Sequence, residues 1–255
     1  MRTTIRYIVL TALRDRLFLG LFLGILAITG LSMLLGGTSL VENTQMSIVF
    51  AAAANRLLLV LGLIVFTCFH LHHAFDAKEI DLLLSRPISR SRVVLAYWCG
   101  FALVAVILAL PVLAAVSFPG VLHAQGFAVW SITLLLELLM VVAVALFTGF
   151  VLKSAVSAVI TCLGFYMLAR MAELFVMTSE STLLFREKGF NVVLEYSMKA
   201  VSSVMPRLDF FGKSEWLVYG PGQEGSALEL CLIQAAIYVP LLLLATVVDF
   251  RRREF

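Results

Sequence analysis

Four charged side chains inside apolar stretches are the residues of this sequence best placed to do chemistry: Arg56, Glu137, Arg170 and Glu173. An ionised group costs about 2.5–3.5 kcal/mol at the centre of a membrane helix, so such groups pair with one another or line a path for polar solutes. Arg170 and Glu173 are three residues apart and can pair on one helix face. Arg56 is expected near enough to the outer end of its helix to reach water. Glu137 has no partner nearby in the sequence, which predicts that it faces a cavity or a basic residue of another helix.

Three histidines, His70, His72 and His73, form the other group with chemical potential. Imidazole is a common metal ligand, so an intramembrane enzyme that uses Glu137 or this histidine cluster is an alternative interpretation. The remaining histidine, His123, is predicted on the opposite side of the membrane. The sequence therefore favours contacts with the membrane interface or with a partner for these histidines, and no metal ion or other cofactor in this chain.

The elements that must position these residues are membrane helices. Of the 255 residues, 62% are hydrophobic and 14% are charged, which is far more apolar than a soluble domain. A helix needs about 20 mostly apolar residues to cross the hydrocarbon layer. The apolar runs predict six spans in a single transmembrane domain, residues 1–255, with the spans at about 17–36, 50–73, 92–116, 127–152, 154–178 and 227–249. The fold class is thus predicted to be an all-α membrane protein.

The distribution of basic residues predicts the orientation of these spans. Twelve of the 19 Lys and Arg residues lie on the side that carries both termini, and the positive-inside rule makes that side cytoplasmic. Residues 1–16 alternate basic and apolar side chains, which favours a helix lying at the membrane interface. On the opposite side, the loop 179–226 is long enough to hold helices. Its residues Leu194, Met198, Val201 and Met205 repeat at helical spacing, which predicts an amphipathic helix there.

The stretch "FDAKEIDLLLSRPISRSRVV", Phe75–Val94, gathers charge between the second and third spans, and we call its residues 76–90 the charged loop. Asp76 and Glu79 are spaced like a capping box, which predicts a short helix from Asp76 to about Ser85. Pro87 then interrupts the helix, and Ser89 or Ser91 begins the third span. The leucines fall on more than one face of the short helix. Lipid can cover one such face, but the second needs a protein partner; headgroup contact through the arginines is the alternative.

The order of acidic residues, leucines and Pro87-Ile88-Ser89-Arg90 before an apolar span resembles the cytoplasmic coupling segment of permease subunits of type-2 ABC exporters. The opening "IRYIVLTALRDRLF" resembles the elbow helix of that family. The closing "LLLLATVVDFRRREF" resembles its exit from the sixth span, and "MPRLDFF" resembles a Pro-and-aromatic stretch before that span. One difference is visible, because Ile80-Asp81 stands where the family usually has Gly with Thr or Ser.

The resemblance implies a multi-pass subunit of a cell membrane, the bacterial inner membrane, that exports a substrate but is not itself an enzyme. Its partners would be two cytoplasmic ABC ATPase subunits, a second permease copy or sister permease, membrane lipid and an accessory or periplasmic protein, with no nucleic acid. This chain would not bind nucleotide itself, because "FGKSE" (Phe211–Glu215) lacks the preceding glycine of a phosphate-binding loop. ATP and Mg²⁺ would therefore be bound by the ATPases. The residues implied to contact the ATPase are Asp76, Glu79, Asp81, Leu83, Leu84, Arg86, Pro87, Ser89 and Arg90. A membrane assembly subunit that transports nothing is a further alternative.

Overall fold

The computed structural model describes residues 2–38, 43–80, 89–118, 120, 122–172, 205–221 and 225–252. These residues are almost entirely helical, and they contain no strand. The helices are α1 Arg2–Arg14, α2 Arg16–Thr38, α3 Asn43–Asp76, α4 Arg90–Ser117, α5 Ala124–Val151, α6 Ala155–Arg170, α7 Trp216–Tyr219 and α8 Gly225–Arg252, with a 3-10 helix at Leu208–Gly212. The prediction of an all-α membrane protein is confirmed.

Five of these helices, α2, α3, α4, α5 and α8, are long and apolar enough to cross a membrane. The chain is therefore a multi-pass helical membrane protein. The predicted fifth span corresponds to α6, whose 16 described residues are apolar but extend only about 24 Å at 1.5 Å per residue. The hydrocarbon layer is about 30 Å thick, so the sixth span stays a prediction. Its expected continuation, residues 173–178, lies outside the described residues.

Helix α5 is the centre of the bundle and the most buried of the long helices. It packs against α3, α4, α6 and α8. Leu134, Leu138, Leu146 and Phe150 along it are fully buried. In lipid the packing of side chains, rather than exclusion of water, stabilises such contacts, so small residues that permit close approach matter. Gly149 is one of them, because a side chain there would collide with Leu71 of α3.

Helices α2 and α8 lie at the periphery of the bundle. Only a narrow stripe of α2 is buried, at Ile25, Thr29, Ser32 and Gly36, and it packs mainly against α3. Asn55 of α3 donates a hydrogen bond of 3.2 Å to the Thr29 hydroxyl across this contact. The other faces of α2 are leucine-rich and exposed, as expected for a helix that meets lipid or a second membrane protein.

Helix α1 packs along α4. Its buried side chains are Ile8 and Ala12, and Ile8 lies against Gly100 of α4, where any larger residue would collide with it. The predicted helix at the start of the chain is therefore present; Ile8 contacts α4, whereas Leu10 and Leu13 are exposed. Its position at the membrane interface stays a prediction.

The charged loop begins differently from the prediction. Asp76 is the last residue of α3, and a turn at Ala77–Lys78 follows, with Lys78 in the left-handed region at φ 55°. Helical conformation resumes at Glu79, so the prediction that Asp76 caps a separate helix is wrong: α3 continues three residues further than its apolar run suggests. Ser89 is extended and precedes α4, as predicted. The predictions for Asp81, Leu83, Leu84, Arg86 and Pro87 lie outside the described residues.

Candidate functional site: a buried charge cluster

Arg56 of α3, Glu137 of α5 and Arg170 at the end of α6 come together in what we call the buried charge cluster. The Nε of Arg56 lies 3.5 Å from one carboxylate oxygen of Glu137, and a guanidinium nitrogen of Arg170 lies 3.5 Å from the other. The hydroxyl of Tyr166 donates a 3.0 Å hydrogen bond to the same oxygen as Arg170. The prediction that Glu137 faces a basic residue of another helix is confirmed, and there are two such residues.

Arg56 is 1% exposed, so the expectation that it reaches water is wrong. Its guanidinium donates to the carbonyl oxygen of Phe211, to that of Trp130 at 3.2 Å and to the Thr133 hydroxyl at 3.4 Å. The guanidinium carbon also lies 4.8 Å from the centre of the Trp130 ring, within range of a cation–π interaction. Arg56 is buried among these partners, which come from α5 and from Phe211, a residue distant in sequence.

Arg170 is the second basic partner of Glu137, and its side chain is 31% exposed. It donates a 2.9 Å hydrogen bond to the carbonyl oxygen of Leu208. Its guanidinium occupies the space that a side chain at position 212 would fill. Arg170 can therefore lie this close to the backbone only because residue 212 is glycine. Glu173, the partner predicted for Arg170, lies outside the described residues.

Both arginines therefore bind the backbone of one stretch, residues 205–221, which we call the 205–221 segment. It contains the 3-10 helix, whose Leu208 and Phe211 are buried, and α7, whose Trp216 and Leu217 are buried. Two short helices are thus present in the part of the predicted loop 179–226 that the structure describes. The backbone N–H of Arg207 also donates to the Gln234 side chain of α8 at 2.9 Å.

Helix α7 is seated against the first turn of α5. The carbonyl of Trp216 lies where a side chain at Gly126 would be. The close contact between α7 and α5 therefore requires glycine at position 126. Gly220 ends α7 at φ 78°, a left-handed conformation that glycine adopts without strain, and it packs on the His123 ring. His123 in turn caps α5 by accepting from the Gly126 N–H at 3.4 Å.

The cluster carries one carboxylate against two guanidinium groups, and an unpaired buried charge is costly. Three backbone carbonyls, one hydroxyl and an aromatic face supply the remaining electron-rich partners. Glu137 is completely buried. A neighbouring apolar cavity, lined by Met140, Cys162 and Leu208 among others, has a volume of about 10 Å³, roughly room for one water. In this conformation the cluster acts as a clamp, because it ties α3, α5 and α6 to the 205–221 segment. That its charged residues line a path for polar solutes stays a prediction.

The three histidines do not converge. His72 is nearly buried, with Nδ1 2.9 Å from the Cys68 carbonyl oxygen and Nε2 3.2 Å from that of Leu152. The ring of His70 packs edge-on against Phe101, with centroids 5.5 Å apart, while His73 is exposed. Among the residues that the structure describes, no group of three or more His, Cys, Asp or Glu side chains is placed to hold a metal ion.

The two described ends of the charged loop make contacts within the chain. The Tyr7 hydroxyl of α1 donates a 2.9 Å hydrogen bond to Glu79, and this bond raises the pKa of Tyr7. At the other end, Arg90 donates to the carbonyl oxygens of Phe250 at 2.6 Å and Arg251 at 3.2 Å, which lie in the last turn of α8. Arg251 donates back to the Ser91 hydroxyl at 3.2 Å.

Several residues of the cluster were not predicted from the sequence, namely Trp130, Thr133, Tyr166, Phe211 and Gly212. A signal existed for three of them. Thr133 and Trp130 precede Glu137 by four and seven residues, and Tyr166 precedes Arg170 by four, so helical periodicity places each on the same face as its charged neighbour. No local pattern indicated the contacts of Phe211 and Gly212, since they join segments distant in sequence. In comparisons with known proteins, no family model matches this chain, and no curated protein matches it.

Proposed function

We propose that this chain is the transmembrane subunit of an ATP-driven ABC exporter. It works as a dimer, with a second copy or a sister permease, that forms the translocation path, and its charged loop couples it to separate cytoplasmic ATPase subunits. The observation that supports this most is the attachment of the charged loop at both described ends, through Glu79 to α1 and through Arg90 to α8. A loop attached in this way can pass a displacement to several helices at once.

The mechanism follows from how the charged loop continues into the bundle. It connects α3 directly to α4, and both helices pack against the central α5. Closure of ATPases around ATP would push the loop, and packed helices respond to such a push by moving as rigid bodies. The energy comes from ATP and Mg²⁺ in the partner subunits. The exposed leucine-rich faces of α2 and α8 are available to lipid or to the second permease.

Purification of the full-length chain from its native membranes tests the proposal directly. We expect a soluble ABC ATPase to co-purify with the parent protein and with Leu83→Met. Leu83→Asp should weaken its retention by about tenfold or more, because central apolar contacts in interfaces each contribute about 2 kcal/mol or more. Recovery of no ATPase from native membranes, or undiminished retention by Leu83→Asp, would refute the proposal.

The six-span topology with both ends cytoplasmic has its own test. Arg6 of α1 and Arg252 of α8 are exposed, so single cysteines there can be labelled in a variant whose four native cysteines are replaced. Six crossings lie between the two sites if α6 spans the membrane, and five if it does not. We expect a membrane-impermeant maleimide to label both sites from the cytoplasmic side only. Labelling of the two sites from opposite sides would show five crossings.

A further inference from the structure

Arg90, which the resemblance implies to be an ATPase contact, has an intramolecular position that indicates a different role. Its guanidinium reaches the last turn of α8 and lies 5.6 Å from the centre of the Phe250 ring. Phe250 is completely buried, and its ring packs on Phe150 of the central α5 with centroids 5.0 Å apart. Arg90 thus holds a helix end that is itself anchored in the core of the bundle.

The physical chemistry of a helix terminus makes this contact stronger than a surface ion pair. The last carbonyls of a helix have no intrahelical donor, and the helix dipole places partial negative charge there. A guanidinium satisfies both needs at once, because it donates charge-assisted hydrogen bonds and carries positive charge. The bond from Arg251 back to Ser91 provides a second link between the same two helix ends.

We propose that Arg90 is a positioning residue that fastens the end of α8 to the charged loop, so that α8 moves with the loop during each ATP cycle. This role rests on the proposed function, in which the loop is the part that the ATPase displaces. Motion would then reach the bundle by two routes, directly through α3 and α4 and indirectly through α8. Since α8 also binds the 205–221 segment through Gln234, the second route extends to the clamp formed by the buried charge cluster.

Arg92 provides a matched control for Arg90. It lies two residues further along α4, carries the same charge and is exposed. If Arg90 fastens α8, Arg90→Gln should retain the ATPase to within about twofold of Arg92→Gln, as expected for the loss of a peripheral charge. If Arg90 were instead a central docking contact, Arg90→Gln would lose the ATPase as Leu83→Asp does, and the proposal would be overturned.

Distance measurements on the full chain test the fastening itself. Spin labels at Arg92→Cys and Arg252→Cys, with the native cysteines replaced, report the separation of the two helix ends by pulsed electron paramagnetic resonance. In the complex with its ATPase we expect one narrow distribution for the two labels within one copy of the chain, unchanged between the nucleotide-free state and the state trapped with Mg²⁺ and ATP. Arg90→Gln should broaden it and make it depend on nucleotide, while Arg90→Lys should restore it in part. A nucleotide-dependent separation in the parent, or a narrow distribution in Arg90→Gln, contradicts the proposal.

The same measurement on the permease without any ATPase separates the two proposals. If no ATPase is ever recovered, the proposed function fails, yet Arg90→Gln should still broaden the distribution between the two labels. If the ATPase is recovered and the distribution does not respond to Arg90→Gln, the proposed function stands and the fastening role fails.

Discussion

Replacement of Glu137 with leucine is expected to destabilise the folded chain by about 3–5 kcal/mol, the usual cost of removing one partner from a buried ion pair. Arg56 is 1% exposed and would keep its charge in the centre of the bundle without a counter-charge. The hydroxyl of Tyr166 would lose its acceptor as well. The measurement is the free energy of unfolding in detergent micelles from denaturant titration, compared with Glu137→Gln, which keeps an acceptor and should be less damaging.

The double variant Arg56→Leu/Glu137→Leu tests whether the loss of the ion pair causes the destabilisation by Glu137→Leu. Removal of both charges replaces a buried pair by apolar groups, which is often close to neutral. We expect the double variant to be less destabilised than the sum of the two single variants by about 0.5–3 kcal/mol, the range for residues in direct contact. Strict additivity would mean that the two side chains contribute separately, and that Arg56 matters mainly through its bond to the Phe211 carbonyl.

The apolar pattern predicted the main helices of the bundle within a few residues. The predicted spans 92–116 and 127–152 correspond to α4, Arg90–Ser117, and α5, Ala124–Val151. The largest difference is at α3, predicted at 50–73 and observed at Asn43–Asp76. Hydropathy measures the part of a helix that suits hydrocarbon, whereas the helix itself continues through polar residues until its backbone meets a turn, here at Lys78.

The charge cluster could be predicted only in part. A carboxylate in mid-span needs either a cavity or a basic residue, so energetics predicted these two alternatives for Glu137 and the structure shows the second. Which cation it is depends on how α3, α5 and α6 pack, and one sequence does not specify that. The exposure of Arg56 was predicted wrongly for a related reason. The distance from the end of an apolar run indicates depth in the membrane, but it does not show that partners from α5 and from the 205–221 segment bind the side chain.

In the charged loop, the contact of Arg90 with α8 could not be predicted from a sequence motif. The loop's leucines and charges left docking on a protein and contact with lipid headgroups both open, and the resemblance to a coupling segment favoured the protein. The structure adds that Arg90 donates to the end of α8, which no local pattern in residues 75–94 suggested. A short leucine-rich helix between charges is compatible with docking on a protein or on lipid headgroups. The contact of Arg90 depends on the position of a helix end 160 residues later, so only three-dimensional packing reveals it.

Replacement of Gly126 with alanine is expected to destabilise the chain by about 1–3 kcal/mol, the cost of overpacking a close contact. The added methyl would overlap the backbone carbonyl of Trp216, and a backbone group, unlike the tip of a side chain, cannot turn aside. Gly164→Ala is the matched control, because nothing lies within 4 Å of that position and alanine favours a helix by about 1 kcal/mol. Thermal unfolding in detergent measures both effects.

A second measurement on Gly126→Ala distinguishes displacement of α7 from α5 from unfolding of the whole bundle. Leu217 of α7 is 3% exposed, so a cysteine placed there should react slowly with a maleimide in the parent background. In Gly126→Ala it should react faster at temperatures well below the unfolding midpoint, while a cysteine at the equally buried Val141 of α5 should not. Equal acceleration at both positions would mean that the bundle loosens as a whole. Acceleration at Leu217 alone would mean that the 205–221 segment can be displaced from an intact bundle.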